Sequence, residues 1–432
     1  MKRLSVIFAS LGLAACASYS EPQLVITPSP ILQGDPVSIG LRGLKPGDSA
    51  TLRLDEIRLR RGQPAYYTSS ATFIVGDDGR ISTVRDAPAA GSYKGVDQAG
   101  LFWSRNRPED QQPDENAALS PLTLSVDIGS DASVEFEEEI ILLEGKPGLM
   151  SQLLGDAFPG AFAVYPEGEG PHPVIFILGG SEGQDSTARR IAPQFASRGY
   201  LAIGVPYYSP AWGGQQQPIP GLPRAFSEIP VDYLETVIAH VKKIPAADAD
   251  RIGVYGASKG AEYALLAGVL IGGFEAIAAI VPTDVVWEGW GVEQATSSFS
   301  WRGQPLPFVP YEGMNAEFQK PDPKLRIPHD AGRAANPDRV EPARIRVETI
   351  DSPVFLVGGD KDTVWASGPM ARAIKATRDE AGRVTEIFVS RDAGHFLSGD
   401  GYQPAAEPDA TLKAAAFPAM LAFFERHLNA ER

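Results

Sequence analysis

Residues Gly256-Ala257-Ser258-Lys259-Gly260 have the spacing G-x-S-x-G. That spacing suits a sharp strand-to-helix turn that lifts a serine hydroxyl above a sheet, with glycines on either side because a Cβ there would clash. The pattern alone is weak, so its flanks decide. Arg251 to Tyr255 reads as a buried strand, and Ala261, Ala264, Leu265 and Val269 give the following stretch a helical apolar face. A serine hydroxyl is a poor nucleophile at its own pKa and needs a base, itself oriented by an acid. The five histidines allow an elimination. His240 falls inside a helical stretch, His172 precedes a strand, His427 fits a C-terminal helix, and His329 comes before any suitable acid. His395 remains, in Asp392-Ala393-Gly394-His395 directly after the strand-like Thr385 to Val389.

Two carboxylates compete for the role of the acid. Val354 to Val357 runs into Gly358-Gly359-Asp360-Lys361-Asp362. The pattern of an acid three residues after a strand-ending glycine favours Asp362, and Asp360 stays open as the alternative. The chain order Ser, Asp, His is that of the α/β-hydrolase fold. Charge developing on a substrate carbonyl oxygen needs fixed donors. The backbone N–H of Lys259 is one candidate, and an N–H of the loop Gly179-Gly180-Ser181-Glu182-Gly183, taken at Ser181, is the other. The Lys259 side chain is expected to face solvent. No metal-ligand cluster is evident, and the glycine-rich loop lacks the lysine and spacing of a phosphate loop, so neither a metal nor a cofactor is expected.

The elements that must hold these residues follow from periodicity. From Gln23 to about Leu143 the apolar residues alternate with period two, as in Val37, Ile39 and Leu41 or Leu122, Leu124 and Val126, with turn signals such as Lys45-Pro46-Gly47-Asp48 between runs. Short strands of this kind predict a β-sandwich over residues 23–145. Between Leu54 and Ile57 the alternation slips by one residue at Asp55-Glu56, which predicts a β-bulge. From about Pro171 continuous apolar runs alternate with helical stretches, predicting a mostly parallel sheet covered on both faces and a catalytic domain over 160–432. The segment 287–344 interrupts that alternation. Its length, its prolines and the aromatic residues Trp287, Trp290 and Trp301 predict a lid or binding insertion whose tryptophans line a substrate pocket.

Composition narrows the function class. A hydrophobic content of 43% and a charged content of 22% belong to an ordinary globular chain, and the net charge of −15 argues against a nucleic-acid partner. The run Arg58 to Arg61 is too short to change that. At the start, Lys2 and Arg3, the apolar Leu4 to Leu13 and the small Ala14-Ala15 read as an export signal over 1–15. Leu13-Ala14-Ala15-Cys16 resembles the lipobox of bacterial lipoproteins, and Cys16 is the single cysteine of the chain. The expectation is a protein exported and lipid-anchored through Cys16 in the bacterial cell envelope, touching the membrane without a transmembrane helix.

Several longer motifs occur in a consistent order. Gly43-Leu44-Lys45-Pro46-Gly47, Gly91-Ser92-Tyr93-Lys94-Gly95-Val96-Asp97 and Gly100-Leu101-Phe102-Trp103-Ser104 lie in the first half. Ile229-Pro230-Val231-Asp232-Tyr233, Ser258-Lys259-Gly260-Ala261-Glu262, Pro305-Leu306-Pro307-Phe308 and Val347-Glu348-Thr349-Ile350 lie in the second. Together they resemble the acyl-CoA thioesterase and bile acid-CoA:amino acid N-acyltransferase family. That resemblance implies an N-terminal immunoglobulin-like sandwich followed by an α/β-hydrolase domain, a small-molecule acyl substrate, and Ser258, Asp362 and His395 as nucleophile, acid and base. Amino-acid-conjugating members use cysteine where this chain has Ser258, which favours hydrolysis over amide transfer. Export separates the chain from cytoplasmic acyl-CoA, and the segment 287–308 is aromatic without visible basic residues beyond Arg302. The expectation is therefore an acyl hydrolase of thioesterase type acting on an apolar acyl ester or thioester with a small or uncharged leaving group. A carboxylesterase or amidase, an acyltransferase to an amine, and a binding lipoprotein with a relict site are the competing readings.

Overall fold

The computed structural model describes residues 21–60, 62–129, 136–168, 170–211 and 216–429. The expected signal and Cys16 lie outside the described residues. In the first half, Gln23–Thr27, Ser38–Arg42 and Arg80–Ser82 form an antiparallel three-stranded sheet. A second, five-stranded antiparallel sheet has Ser49–Arg60 and Gln63–Ile74 at its centre, with Ser120–Ile128 and Phe136–Glu139 beyond. The alternating residues read from the sequence point inward: Ile39, Leu41 and Ile81 of one sheet pack with Leu52, Leu54, Phe73, Leu124 and Val126 of the other. The expected bulge is present. Pairing of Ser49–Arg60 with Ser120–Ile128 shifts between Asp55 and Ile57, while pairing with Gln63–Ile74 runs through without a break.

The second half is built on one eight-stranded sheet, whose strands are numbered here in chain order: β1 Leu149–Leu153, β2 Phe162–Pro166, β3 His172–Leu178, β4 Leu201–Gly204, β5 Ala247–Ala257, β6 Ala276–Ile280, β7 Val354–Gly359 and β8 Thr385–Ser390. Their spatial order is β1-β2-β4-β3-β5-β6-β7-β8. β1, β2 and β4 pair antiparallel, and the rest of the sheet is parallel. The sheet thus begins at Leu149, ahead of the expected domain start at 160. Along β3, Val174, Phe176 and Leu178 join one core while Ile175 and Ile177 join the other, so both faces are buried and the run reads as continuously apolar. Helices α1 (Ser186–Ala196) and α5 (Glu407–Leu428) cover one face. Helices α2 (Asp232–Val241), α3 (Lys259–Leu270) and α4 (Ser367–Glu380) cover the other.

Because β3, β5, β7 and β8 are parallel and in register, the residues after Leu178, Ala257, Gly359 and Ser390 emerge at one edge. Those are the loops that carry the candidate chemistry. The segment after β6 holds the helices Met314–Phe318, Arg326–Ala335 and Pro337–Ala343. The β-domain meets the loop following His395: Arg105 Nη2 donates to the Tyr402 carbonyl (3.0 Å), the Tyr402 hydroxyl to the Asp35 carbonyl, and the Phe102 and Tyr402 rings lie 5.0 Å apart.

Candidate active site

Ser258 sits between β5 and α3 with φ +57° and ψ −120°, a conformation costly for any residue with a Cβ. Its N–H donates to the Ile280 carbonyl at the end of β6 (2.9 Å), which ties the turn to the sheet. The flanking glycines are explained by contact. A Cβ on Gly256 would collide with the Gly260 carbonyl, and one on Gly260 with the carbonyl oxygens of Leu178 and Gly179. The turn therefore lets α3 start hard against the end of β3.

The structure brings His395 and Asp362 to this turn. His395 Nε2 lies 3.0 Å from Ser258 Oγ, and His395 Nδ1 lies 2.8 Å from Asp362 Oδ2. With Nδ1–H donating to the carboxylate, Nε2 is left to accept the serine hydroxyl proton. Asp362 is 1% exposed, and its other oxygen accepts the N–H groups of Val364 (2.7 Å) and Trp365 (3.1 Å). Asp360 points elsewhere. Its two oxygens accept from Arg372 (2.7 and 3.0 Å), and that guanidinium holds its carboxyl below the ordinary range. The loops fit closely, since a Cβ on Gly359 would strike the carbonyls of Ala393 and Gly394. Arg326 Nη1, from the inserted segment, donates to the carbonyl of Asp360 (2.8 Å) and braces the acid loop.

Lys259 opens α3, so its N–H belongs to the helix N-terminus beside Ser258. In the loop after β3, the Gly180 N–H donates to Glu182 Oε1 (3.1 Å), an oxygen that also accepts the Thr187 hydroxyl. Gly180 is thereby occupied, and Ser181, its exposed neighbour, lines the cavity onto which Ser258 opens.

That cavity has a volume of about 560 Å³ and is walled by Ser181, Arg190, His395, Phe396, Asp400 and Lys413 among others. The expected pocket tryptophans are not among its lining residues. Trp287 is fully buried and donates from Nε1 to Thr283 Oγ1 (2.8 Å), Trp290 stacks on Phe226 at 4.4 Å, and Trp301 lies under the Arg302 guanidinium. The segment 287–344 uses its aromatic residues to pack against the nucleophile helix and the acid loop. The scarcity of basic residues over 287–308 consequently says nothing about the leaving group, because the cavity takes its two cations, Arg190 and Lys413, from α1 and α5.

The side chain of Lys259 is also not where expected. It is 2% exposed, and its ammonium donates to Glu262 Oε2 (2.6 Å) and Ser298 Oγ (2.9 Å) while lying about 5 to 6 Å from the rings of Phe226, Phe299 and Trp290. Glu262 Oε1 in turn accepts the Trp287 N–H (3.2 Å) and the Ser298 hydroxyl (3.2 Å). Burial pushes the Lys259 ammonium down and the Glu262 carboxyl up, and their mutual attraction opposes both shifts. The spacing of three between Lys259 and Glu262 on a helix apolar on several sides was the available signal for such a pair.

His329 is one of the four histidines that elimination set aside. Its ring is 3% exposed, lies 4.6 Å from Trp287 and 5.7 Å from Trp365, and faces the Leu325 carbonyl through Nδ1 (2.7 Å). Burial pushes its pKa down to about 4. It stands behind Trp365, whose indole in turn lies 5.3 Å from the His395 ring.

A sheet of this order, with a serine turn after β5, an acid loop after β7 and a histidine loop after β8, defines an α/β-hydrolase. Residues 34–141 match the family model described as the acyl-CoA thioester hydrolase/BAAT N-terminal region, and residues 229–409 match its C-terminal counterpart. The chain belongs to this family. Acyl-coenzyme A thioesterase 5 of Mus musculus is 24% identical over 391 residues, covering 84% of this chain and 82% of its own. Acyl-coenzyme A amino acid N-acyltransferase 2 of Rattus norvegicus is 26% identical over 253 residues, covering 56% and 57%. Among solved structures, a putative dienelactone hydrolase from Klebsiella pneumoniae aligns with 64% of this chain and 99% of its own at 18% identity and a TM-score of 0.43. By family, the chain is an acyl hydrolase, an enzyme acting on thioester or ester bonds.

Proposed function

We propose that the enzyme cleaves acyl thioesters, and esters of the same acyl group, through a covalent intermediate on Ser258. The observation that carries this reading is the hydrogen-bonded chain from Ser258 through His395 to Asp362 at the mouth of a cavity. His395 takes the Ser258 proton as Oγ attacks the acyl carbonyl, and Asp362 stabilises the imidazolium that forms. The oxyanion is held by the N–H groups of Lys259 and Ser181. Collapse of this intermediate breaks the bond to the leaving thiol or alcohol, which receives the proton from His395. Water, activated by the same imidazole, then attacks the acyl-serine and releases the acid. The similarity to acyl-coenzyme A thioesterases supports a coenzyme A thioester as the substrate.

The test is labelling by a fluorophosphonate serine probe together with hydrolysis of matched thioester, ester and amide substrates. The parent should label and turn over the thioester, and Ser258→Ala should do neither. Labelling that survives Ser258→Ala would overturn the assignment. We also propose that Cys16 is lipidated after export, on the strength of its place after Leu13-Ala14-Ala15. Incorporation of an alkyne fatty acid into the parent's membrane fraction, lost in Cys16→Ala, is expected. A parent that stays unlabelled in the soluble fraction would exclude it.

A further inference from the structure

The cavity beside Ser258 contains four charged side chains, and their circumstances differ. The two acids are already served. Asp400 is 4% exposed, with Oδ1 accepting the N–H groups of Gly401 (3.0 Å) and Tyr402 (2.8 Å) and Oδ2 accepting from Gln194 (3.1 Å). Glu182 accepts from the Gly180 N–H and the Thr187 hydroxyl. The two cations are not served in the same way. Lys413, on α5, is 7% exposed and makes neither a hydrogen bond nor an ion pair among the described residues. Arg190, on α1, donates from Nη2 to Ser398 Oγ (3.2 Å) and has no carboxylate within ion-pair distance among the described residues.

The Lys413 ammonium is not among the fully enclosed atoms that lack a partner, so the stem is held in the wall while the charge opens onto the cavity. The chain has ample carboxylate to supply partners, with 54 acids against 39 bases. Burial holds Lys413 below its usual pKa, opposed by Asp400 and Asp409, and Asp409 is itself occupied by the Gly394 N–H (2.6 Å). At the rim, Gln403 also lines the cavity and accepts from Arg58 Nη1 (2.9 Å), which brings the short basic run of the β-domain to the same side. Two unpaired cations thus line a cavity that Ser258 and His395 also line.

We propose that Arg190 and Lys413 form an anion subsite of the substrate cavity, which takes a carboxylate or phosphate of the substrate while Ser258 attacks its acyl carbonyl. The inference rests on the acyl-hydrolase reading above and adds a charge requirement to it. Anionic oxygens could come from the far end of a dicarboxylic acyl group or from a phosphorylated carrier, and one experiment separates them. Three thioesters of one acyl length are compared: the neutral N-acetylcysteamine thioester, the same thioester with a terminal carboxylate on the acyl chain, and the 4′-phosphopantetheine thioester.

The parent is expected to show kcat/KM at least about tenfold higher for one of the two anionic substrates than for the neutral one, the gain of a charge-assisted contact. Which of the two is preferred identifies the source of the anion. Lys413→Gln and Arg190→Gln should each lower that anionic-to-neutral ratio by roughly tenfold, and Lys413→Arg, which keeps the charge, should largely preserve it. Inorganic phosphate should compete in the parent and much less in Lys413→Gln. No preference in the parent, or a preference untouched in both glutamine variants, would overturn the subsite and leave the hydrolase standing. A parent that turns over none of the three would overturn both.

Discussion

The Asp362 carboxylate is held by two backbone N–H groups on one side and by His395 on the other, while Asp360, two residues earlier, is committed to Arg372. Only the first can fix the histidine tautomer. Asp362→Asn should therefore lower kcat/KM on the order of 10⁴-fold, and Asp360→Asn by less than about tenfold, in steady-state assays on one thioester. The reverse ranking would move the acid. At the same scale, the buried Lys259–Glu262 pair is expected to be sensitive to loss of one partner. Glu262→Gln leaves the ammonium uncompensated among Phe226, Phe299 and Trp290 and should cost about 3–5 kcal/mol in urea unfolding. Adding Lys259→Met removes the stranded charge and should recover most of that loss; a double variant no more stable than the single would refute the account. Sequence spacing singled out Ser258, His395 and Asp362, which the structure places within hydrogen-bonding distance of one another, because each follows a strand end at a short offset. It failed for the Lys259 side chain because the i,i+3 spacing to Glu262 marks a possible pair without showing that Phe226, Phe299 and Trp290 pack over it.

At the scale of elements, β3 and β5 to β7 were legible as apolar runs because both faces of the parallel sheet are buried there, and the half-buried edge strand β8 was legible through Ile387, Phe388 and Val389. β1 was not, since four of the five residues from Leu149 to Leu153 are exposed and the strand offers no apolar alternation. The inserted segment was visible as an interruption, but not its packing. Helix Arg326–Ala335 sets Arg326 on the acid loop and His329 behind Trp365. With its folded pKa near 4 against about 6.5 unfolded, His329 stays neutral in the native state. Above pH 6.5 neither state is protonated and nothing is lost. Between pH 6.5 and 4 the unfolded chain binds a proton that the native state refuses, so stability falls with pH by up to about 3 kcal/mol. His329→Phe keeps a ring in the aromatic cluster and removes the titration. Urea midpoints at pH 7 and pH 4.5 should therefore differ less in the variant than in the parent; equal differences would show that His329 does not contribute.

On the scale of the whole molecule, the cavity is assembled from parts that lie far apart in sequence: the loop after β3, α1, the nucleophile turn, the loop after His395 and α5. Strand order brings them together, which is why Arg190 and Lys413 could not be linked to Ser258 from spacing alone. The loop 398–403 walls the cavity on one side and leans on the β-domain on the other. Arg105 is the buried joint among these contacts, beside the Tyr402–Asp35 and Arg58–Gln403 hydrogen bonds. It is 4% exposed, pairs with Glu56 (2.6 Å), and donates to the carbonyls of Phe102 (2.8 Å) and Tyr402 (3.0 Å). Burial lowers its pKa to about 10, so it remains charged at neutral pH. Arg105→Met would leave Glu56 with only the more distant Arg58 (3.5 Å) and strip a donor from both carbonyls. The expected cost is about 2–4 kcal/mol. If the β-domain positions the cavity wall, the same change should raise KM several-fold at a temperature where the variant is still fully folded, with kcat altered less because Ser258, His395 and Asp362 are anchored to the sheet. Loss of stability with KM unchanged would show instead that Arg105 holds the two halves together without shaping the cavity.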